Sequence, residues 1–447
     1  MRISFYGACR EVTGSNILIE ENGHKIILEC GNFQGSKFAE EKNYSAFSYD
    51  PKSIDTVIIG HAHLDHTGRL PKLIKEGFTG KIYSTPPTKE LTRLVLEDSE
   101  KLMREESEKN HHAPLYSKED VIKVIRQFET ITYNQTVNLN NEFKLTFKNA
   151  GHILGSAITV LDIGSKRLIY TSDLGNTPSL LLDSPQIIEA GDYLICESTY
   201  AARVHEDLNK RTEKLAEVIN STIINNGVLL IPSFAIERTQ EMLHDIEHFC
   251  NVQNCEKPKF FLDSPLAEKV TAVFGQFPDY LSEKLNKTHY DKDFFGLDRL
   301  HLISSVEESK NIKSIPNPKI IIAGSGMMNG GRILFHAMDY LGNKNNILLF
   351  IGYQAFGTLG RRIYEGEKEI KIYGKKIKIN AQIKAIGSYS AHADQPQLLN
   401  WINNVKNLKK IFIVHGENEQ ALEFAKAINS KFKIIADIPQ LGETFYL

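Results

Sequence analysis

At 447 residues the chain exceeds what one hydrophobic core usually fills, and 41% hydrophobic with 24% charged residues excludes a disordered or fibrous protein. A net charge of −2 excludes a general pull on polyanions, so nucleic acid has to be held by a local groove and by bound metal. No apolar run approaches the ~20 residues of a membrane helix, the segment Met1–Gly7 reads as a strand start rather than a secretory signal, and the five scattered cysteines read as reduced thiols, so a soluble cytoplasmic protein is expected.

From the N-terminus, strand patterns run over Arg2–Ala8, Asn16–Glu20 and Lys25–Cys30, the last two joined by Asn22-Gly23 as a hairpin. Further strands are predicted at Thr56–Gly60, Lys81–Thr85, Phe143–Ala150, Ala157–Ile163, Arg167–Asp173 and Tyr193–Glu197, with a helical pattern over Thr88–Asn110. From about His205 helices alternate with apolar strands at Val228–Ile231, Phe260–Leu262, Ile320–Ala323 and Ile347–Tyr353, the mark of a mostly parallel α/β sheet. From about Lys376 to Leu447 the chain returns to strand and helix with a β-rich tail. The pattern predicts one domain interrupted by another: residues 1–203, an insert over 204–373, and 374–447 completing the first.

Three imidazoles and a carboxylate fall within His61-Ala62-His63-Leu64-Asp65-His66, directly after the apolar run Thr56–Ile59. These are ligands that zinc accepts, and a tight loop leaving a strand end can aim His61 and His63 at one ion, Asp65 and His66 at another. His152, Asp173 and His415 also stand at predicted strand ends, and strand ends on one rim converge on one crevice. The expected arrangement is two zinc ions, the first held by His61, His63 and His152, the second by Asp65, His66 and His415. Asp173 bridges both, and room remains for a shared hydroxide. By contrast His24, His111, His112, His205, His244, His248, His289, His301 and His336 lack such company and read as ordinary surface residues. Cys250 and Cys255 have no second pair of ligands nearby and read as plain thiols.

With these residues in view the chain resembles the metallo-β-lactamase fold nucleases that carry a β-CASP domain, in particular the polyadenylation-cleavage endonuclease type. The His-x-His-x-Asp-His cluster, Gly151-His152 and Ser172-Asp173 are similar to the metallo-β-lactamase part. Glu197-Ser198-Thr199-Tyr200, Ser390-Ala391-His392-Ala393-Asp394 and Val414-His415-Gly416-Glu417 are similar to the three β-CASP motifs. So are the stretches Pro232–Glu241, Gly324–Gly331 and Gly352–Arg362, so that the resemblance spans nearly the whole chain. It implies an αββα metallo-β-lactamase sandwich interrupted by a β-CASP domain. Histidine at His415 is similar to the RNA-processing members, where DNA-repair members tend to carry valine. One departure stands at Leu28-Glu29-Cys30-Gly31, where the family usually has Asp; Glu29 keeps the carboxylate but reaches one methylene further.

The expected activity is zinc-dependent hydrolysis of RNA phosphodiester bonds by a metal-bridging hydroxide, leaving a 5′-phosphate and a 3′-hydroxyl. His392, held by Glu197, is expected to protonate the leaving oxygen, with Asp65 counted among the catalytic residues. Ser233, Arg238, Gly326, Gly330, Arg332, Arg361 and Arg362 are candidate contacts to the RNA backbone, the arginines being equally suited to structural ion pairs. The insert is expected to act as a clamp that admits single-stranded RNA. Endonucleolytic action is favoured over 5′-exonucleolytic action because the chain stops at Leu447 without a long C-terminal extension. Competing readings are a small-molecule hydrolase of the same fold, such as a thioesterase, and an inactive RNA-binding subunit; the inserted domain and the retained candidate ligands argue against them.

Overall fold

The computed structural model describes residues 1–35, 37–110, 113–206, 210–253, 258–283, 285 and 300–447, so Cys255, His111, His112 and His289 lie outside the described residues. Two compact units divide the chain, Met1–Val204 together with His392–Leu447, and His205–Ala391.

Neighbouring residues of a strand face opposite ways, and in the first unit both sets are apolar. Along Ile17–Glu21 and His24–Leu28, residues Ile17, Ile19, Ile26 and Leu28 enter one buried cluster while Leu18 and Ile27 enter another. A strand apolar on both faces needs cover on both. That cover is a second sheet on one side and helices on the other. One seven-stranded sheet runs in the order Thr444–Tyr446, Arg2–Phe5, Ile17–Glu21, His24–Leu28, Thr56–Ile58, Lys81–Ser84 and Phe128–Thr130. The other runs Ala436–Asp437, Lys410–Val414, Tyr193–Glu197, Lys166–Tyr170, Ala157–Ile163, Phe143–Asn149 and Thr136–Asn138. Between them lies a core of Ile3, Phe5, Phe143, Phe147, Leu168 and Phe412 with their neighbours. Helices Leu70–Lys75 and Lys118–Gln127 supply Leu70, Leu73, Val121 and Val124 to the outer face of the first sheet. Gln395–Asn403 and Asn418–Phe432 supply Leu398, Trp401, Phe424 and Ile428 to that of the second. The first unit is therefore the expected αββα sandwich.

The second unit carries a six-stranded, all-parallel sheet in the order Leu300–Leu302, Lys259–Asp263, Lys319–Ala323, Val228–Pro232, Ile347–Phe350 and Gln382–Ala385. Its strands Lys319–Ala323, Val228–Pro232 and Ile347–Phe350 are buried along their length, as a sheet covered on both faces requires. The unit extends past residue 374, the expected boundary, through Ala391. The reason is pairing and packing. Gln382–Ala385 adds in parallel to Ile347–Phe350, and the ribbon Glu369–Ile372 with Lys375–Lys378 drives Ile370 and Ile372 into the core beside Ile333, Leu341 and Ile363. Among the described residues no helix is long and apolar enough to cross a membrane.

Candidate metal centre

The residues of the histidine cluster stand at or soon after strand ends, on the segments that leave the two sheets. Thr56–Ile58 leads into the loop that carries His61 and His63 and into the short helix Leu64–Thr67. Lys166–Tyr170 leads to Asp173, Tyr193–Glu197 ends on Glu197, and Lys410–Val414 leads to His415. At two of these exits, and at Glu29 just past His24–Leu28, the backbone turns into the left-handed region: Glu29 at φ 61°, Ser172 at φ 50° and His415 at φ 53°. Such conformations are costly for residues other than glycine and persist where the surroundings hold them. Gly60 is needed for a different reason. A Cβ there would lie 2.6 Å from the Ser172 side chain and 2.8 Å from Glu29 Oε1.

The structure brings the seven predicted metal ligands together. His61 Nε2 lies 3.1 Å from His63 Nδ1, His152 Nε2 lies 3.3 Å from the same atom, and His66 Nε2 lies 3.1 Å from His415 Nε2. Asp173 Oδ2 stands between the two sets, 3.3 Å from His61 Nε2, 3.6 Å from His152 Nε2 and 3.4 Å from His66 Nε2. Asp65 Oδ2 is 3.3 Å from His415 Nε2 and 3.8 Å from His66 Nε2. Ring nitrogens aimed at one another at such distances are poor partners for each other and good partners for an ion. Two ligand atoms of a tetrahedral zinc, each 2.0–2.1 Å from it, stand ~3.3 Å apart. The residues present fit that spacing. One set of four, His61, His63, His152 and Asp173, and one of three, Asp65, His66 and His415, each close to within 4.8 Å.

Supporting residues fix the rings from behind. His61 Nδ1 meets Ser172 Oγ at 3.0 Å, and that hydroxyl donates to Glu29 Oε1 at 2.9 Å. Glu29 is fully buried, accepts from the Gly60 backbone N–H at 3.0 Å and lies 3.4 Å from His66 Nδ1. The longer carboxylate at this position thus still braces the metal loop. His415 Nδ1 meets Thr199 Oγ1 at 3.0 Å. Ser172 and Thr199 thus orient the rings of His61 and His415, contacts that the stretches Ser172-Asp173 and Glu197–Tyr200 do not signal by sequence alone.

Burial and charge pull the groups apart electrically. Burial, aided by repulsion from His66, holds His61 well below the ordinary imidazole value, and burial brings His63 down to about 4. For Asp173 burial works upward, but His415, His66 and His61 outweigh it and hold the carboxyl well below its usual range. His66 goes the other way: burial works downward, but Asp173 and Asp65 outweigh it and hold the ring well above the ordinary imidazole value, so a cation taking its place among these ligands displaces a proton from His66.

His392 and Glu197 form a pair beside the cluster. His392 Nδ1 lies 3.1 Å from both Glu197 oxygens and 4.0 Å from Asp173 Oδ2. Glu197 is itself buried and also accepts from the Leu174 backbone N–H at 2.7 Å and from the Thr199 N–H at 3.2 Å. Burial lowers the affinity of His392 for a proton, yet the Glu197 carboxylate more than offsets this and raises it above the ordinary value.

The candidate RNA contacts fare differently. Ser233 is buried and shares a hydrogen bond of 2.9 Å with Thr239 Oγ1. Arg238 is buried, donating to Glu241 at 2.7 Å and to the Tyr389 carbonyl at 2.5 Å within a network that includes Arg211 and Asp245. These two are core struts rather than surface contacts, because the acids that neutralise the arginines are buried with them. Arg332 donates to Asp263 at 2.5 Å and to the carbonyls of Ile303 and Ser304. Arg361 pairs with Glu365 and Arg362 with Glu367. Gly326 packs against the Phe234 ring, whereas a Cβ on Gly330 would meet open space. His336, expected at the surface, is buried with Nε2 2.7 Å from Asp263 Oδ2, and His24 is held against Asp55 and the Phe143 ring.

Three family models match in turn: a metallo-β-lactamase superfamily domain over residues 18–198, a β-CASP domain over 239–363, and a Zn-dependent metallo-hydrolase RNA specificity domain over 376–439. Ribonuclease TTHA0252 of Thermus thermophilus is 36% identical over 96% of this chain and 96% of its own length. The chain belongs to the β-CASP metallo-β-lactamase family. Transcription termination factor FttA of Methanocaldococcus jannaschii is 32% identical over 98% of this chain and 70% of that protein. A solved Enterococcus faecalis protein of unknown function shares the fold at TM-score 0.56, with 11% identity, over 100% of this chain and 99% of that one. As a β-CASP protein the chain is a metal-dependent hydrolase, and its His/Asp cluster is a metal-binding site.

Proposed function

We propose that this protein is a ribonuclease that cuts single-stranded RNA internally, using two zinc ions held by His61, His63, His152 and Asp173 on one side and by Asp65, His66, His415 and the shared Asp173 on the other. The observation that carries the reading is the His392–Glu197 pair, with His392 Nδ1 3.1 Å from both carboxylate oxygens beside the cluster. When bound, two zinc ions supply charge neutralisation of the phosphate and a hydroxide nucleophile near neutral pH. What remains is a proton for the leaving oxygen. With Nδ1 engaged by Glu197, the opposite nitrogen of His392 delivers it: the new P–O bond forms on one face, the P–O3′ bond breaks on the other, and O3′ takes the proton. Products are a 5′-phosphate and a 3′-hydroxyl. The Thermus relative named a ribonuclease supports RNA as substrate. A cytoplasmic location accords with the buried thiols of Cys9, Cys30, Cys196 and Cys250.

Single-stranded RNA labelled at either end, incubated with metal-loaded protein, tests this. Internal fragments from both labels that vanish with chelator are expected. His392→Ala is expected to lower kcat by about 10²–10⁴-fold with KM little changed. Mononucleotides released only from the 5′ end would replace the internal cut by an exonuclease, and parent-like turnover in His392→Ala would remove His392 as the acid.

A further inference from the structure

Residues 368–378 hold five lysines and one glutamate, in a chain whose net charge is −2. They form the antiparallel ribbon Glu369–Ile372 with Lys375–Lys378, in which residues directly opposite share a face. Ile370 and its partner Ile377 turn toward the core of the inserted unit, as does Ile372. On the other face Lys371 stands opposite Lys376, and Glu369 opposite Lys378. All four are exposed. Lys376 reaches Glu369 at 3.1 Å, but Lys371, Lys375 and Lys378 have no ion pair among the described residues. Like charges directly opposite destabilise a ribbon. Guarding an exposed strand edge is one reason to keep them.

Edge protection does not explain the tip. Tyr373 and Gly374 turn the ribbon with φ of 46° and 82°. The first of these is a position that Asn or Gly fills cheaply and a bulky aromatic fills at a cost. Tyr373 is nonetheless 63% exposed and stacks on Phe335, itself 53% exposed, with ring centroids 5.3 Å apart and an interplanar angle of 29°. Two solvent-facing stacked rings at a turn whose sequence neighbours Lys371 and Lys375 carry no ion pair among the described residues are the parts from which a single-strand platform is made: a π-face for bases and cations for phosphates.

We propose that the ribbon and the Phe335–Tyr373 pair form a docking surface for single-stranded RNA on the inserted domain, apart from the residues of the metal centre. Lys371, Lys376 and Lys378 of the outward face hold phosphates, Lys376 exchanging Glu369 for one, while an unstacked base lies on the aromatic pair. The identity of the polyanion rests on the ribonuclease reading above. A single strand is the occupant because a duplex keeps its base faces covered.

The full chain, with chelator present so that binding is read without cleavage, is titrated against labelled single-stranded RNA. Lys371→Gln/Lys376→Gln is expected to weaken binding about tenfold and to lower the slope of log K against log salt by about 1.4, the loss of two single-strand phosphate contacts. Tyr373→Ala is expected to weaken it about tenfold, with Tyr373→Phe retaining parent affinity. Lys371→Arg/Lys376→Arg, which keeps the charge, retains it too. Parent-like affinity in the Gln and Ala variants overturns the proposal. So does a loss in the Arg variant equal to that in the Gln variant, or a Tyr373→Ala defect as large on duplex RNA as on a single strand. The ribonuclease reading is judged separately, by whether the metal-loaded parent cuts RNA. A cutting parent with fully binding variants removes this surface alone.

Discussion

Glu29 touches three parts of the metal loop at once: the Gly60 N–H, the Ser172 hydroxyl and the edge of His66. A carboxylate behind a ligating imidazole fixes the ring and raises its basicity. Glu29→Gln keeps the shape but not the charge, and is expected to weaken zinc binding about 10–100-fold in competition with a chromophoric chelator. That these candidate ligands would gather in one place was legible in the sequence because imidazole and carboxylate packed into His61–His66 have few other uses. Ser172 and Thr199 were not, since a hydroxyl that orients a ring carries no spacing signature. His336 was misread for a related reason: the carboxylate that explains it, Asp263, is remote in sequence and adjacent only in the fold.

Among elements, the strand Lys259–Asp263 ends on a buried carboxylate that joins three others. Asp263 takes Arg332 at 2.5 Å, His336 at 2.7 Å and Ser309 at 2.5 Å, tying helix Ile333–Tyr340 and the helix Val306–Asn311 to one strand end. Burial works to raise its proton affinity, but His336, Ser309 and Arg332 outweigh this and hold it below the ordinary carboxylate value. A depressed folded value means that the stabilisation is full above the unfolded pKa of ~3.9 and is lost as pH falls through the folded value. Asp263→Asn is expected to cost about 3 kcal/mol at pH 7 in urea unfolding, and the gap to the parent is expected to close at the acid end, below about pH 4. Strand periodicity made most of these elements legible. Their ends were less so: the expected strand Arg167–Asp173 ladders only to Tyr170, because the last residues leave the sheet to point Asp173 at the cluster. Gln382–Ala385 lies beyond the boundary expected at 374 yet pairs in parallel with Ile347–Phe350, a partnership set by pairing and not by pattern.

For the molecule as a whole, all seven candidate ligands, with Glu197 and His392, belong to the sandwich unit. Metal that binds only the folded form adds stability to that unit and to no other, about 4 kcal/mol when its concentration is a thousandfold above Kd. Calorimetry of the full chain is expected to show two transitions, and a chelator to lower the melting temperature of one by roughly 10 °C while leaving the other in place. The order of the residues along the chain adds a consequence in time. The sandwich begins with the first strand, yet Glu197 stands before the inserted unit while His392 and His415 stand after it. A growing chain on the ribosome that has not yet reached His415 has neither the complete ligand set nor the strand Lys410–Val414 that presents it. The cutting centre therefore closes only after the inserted domain has been made. A chain threaded in this order gains its centre only near the end of its own synthesis.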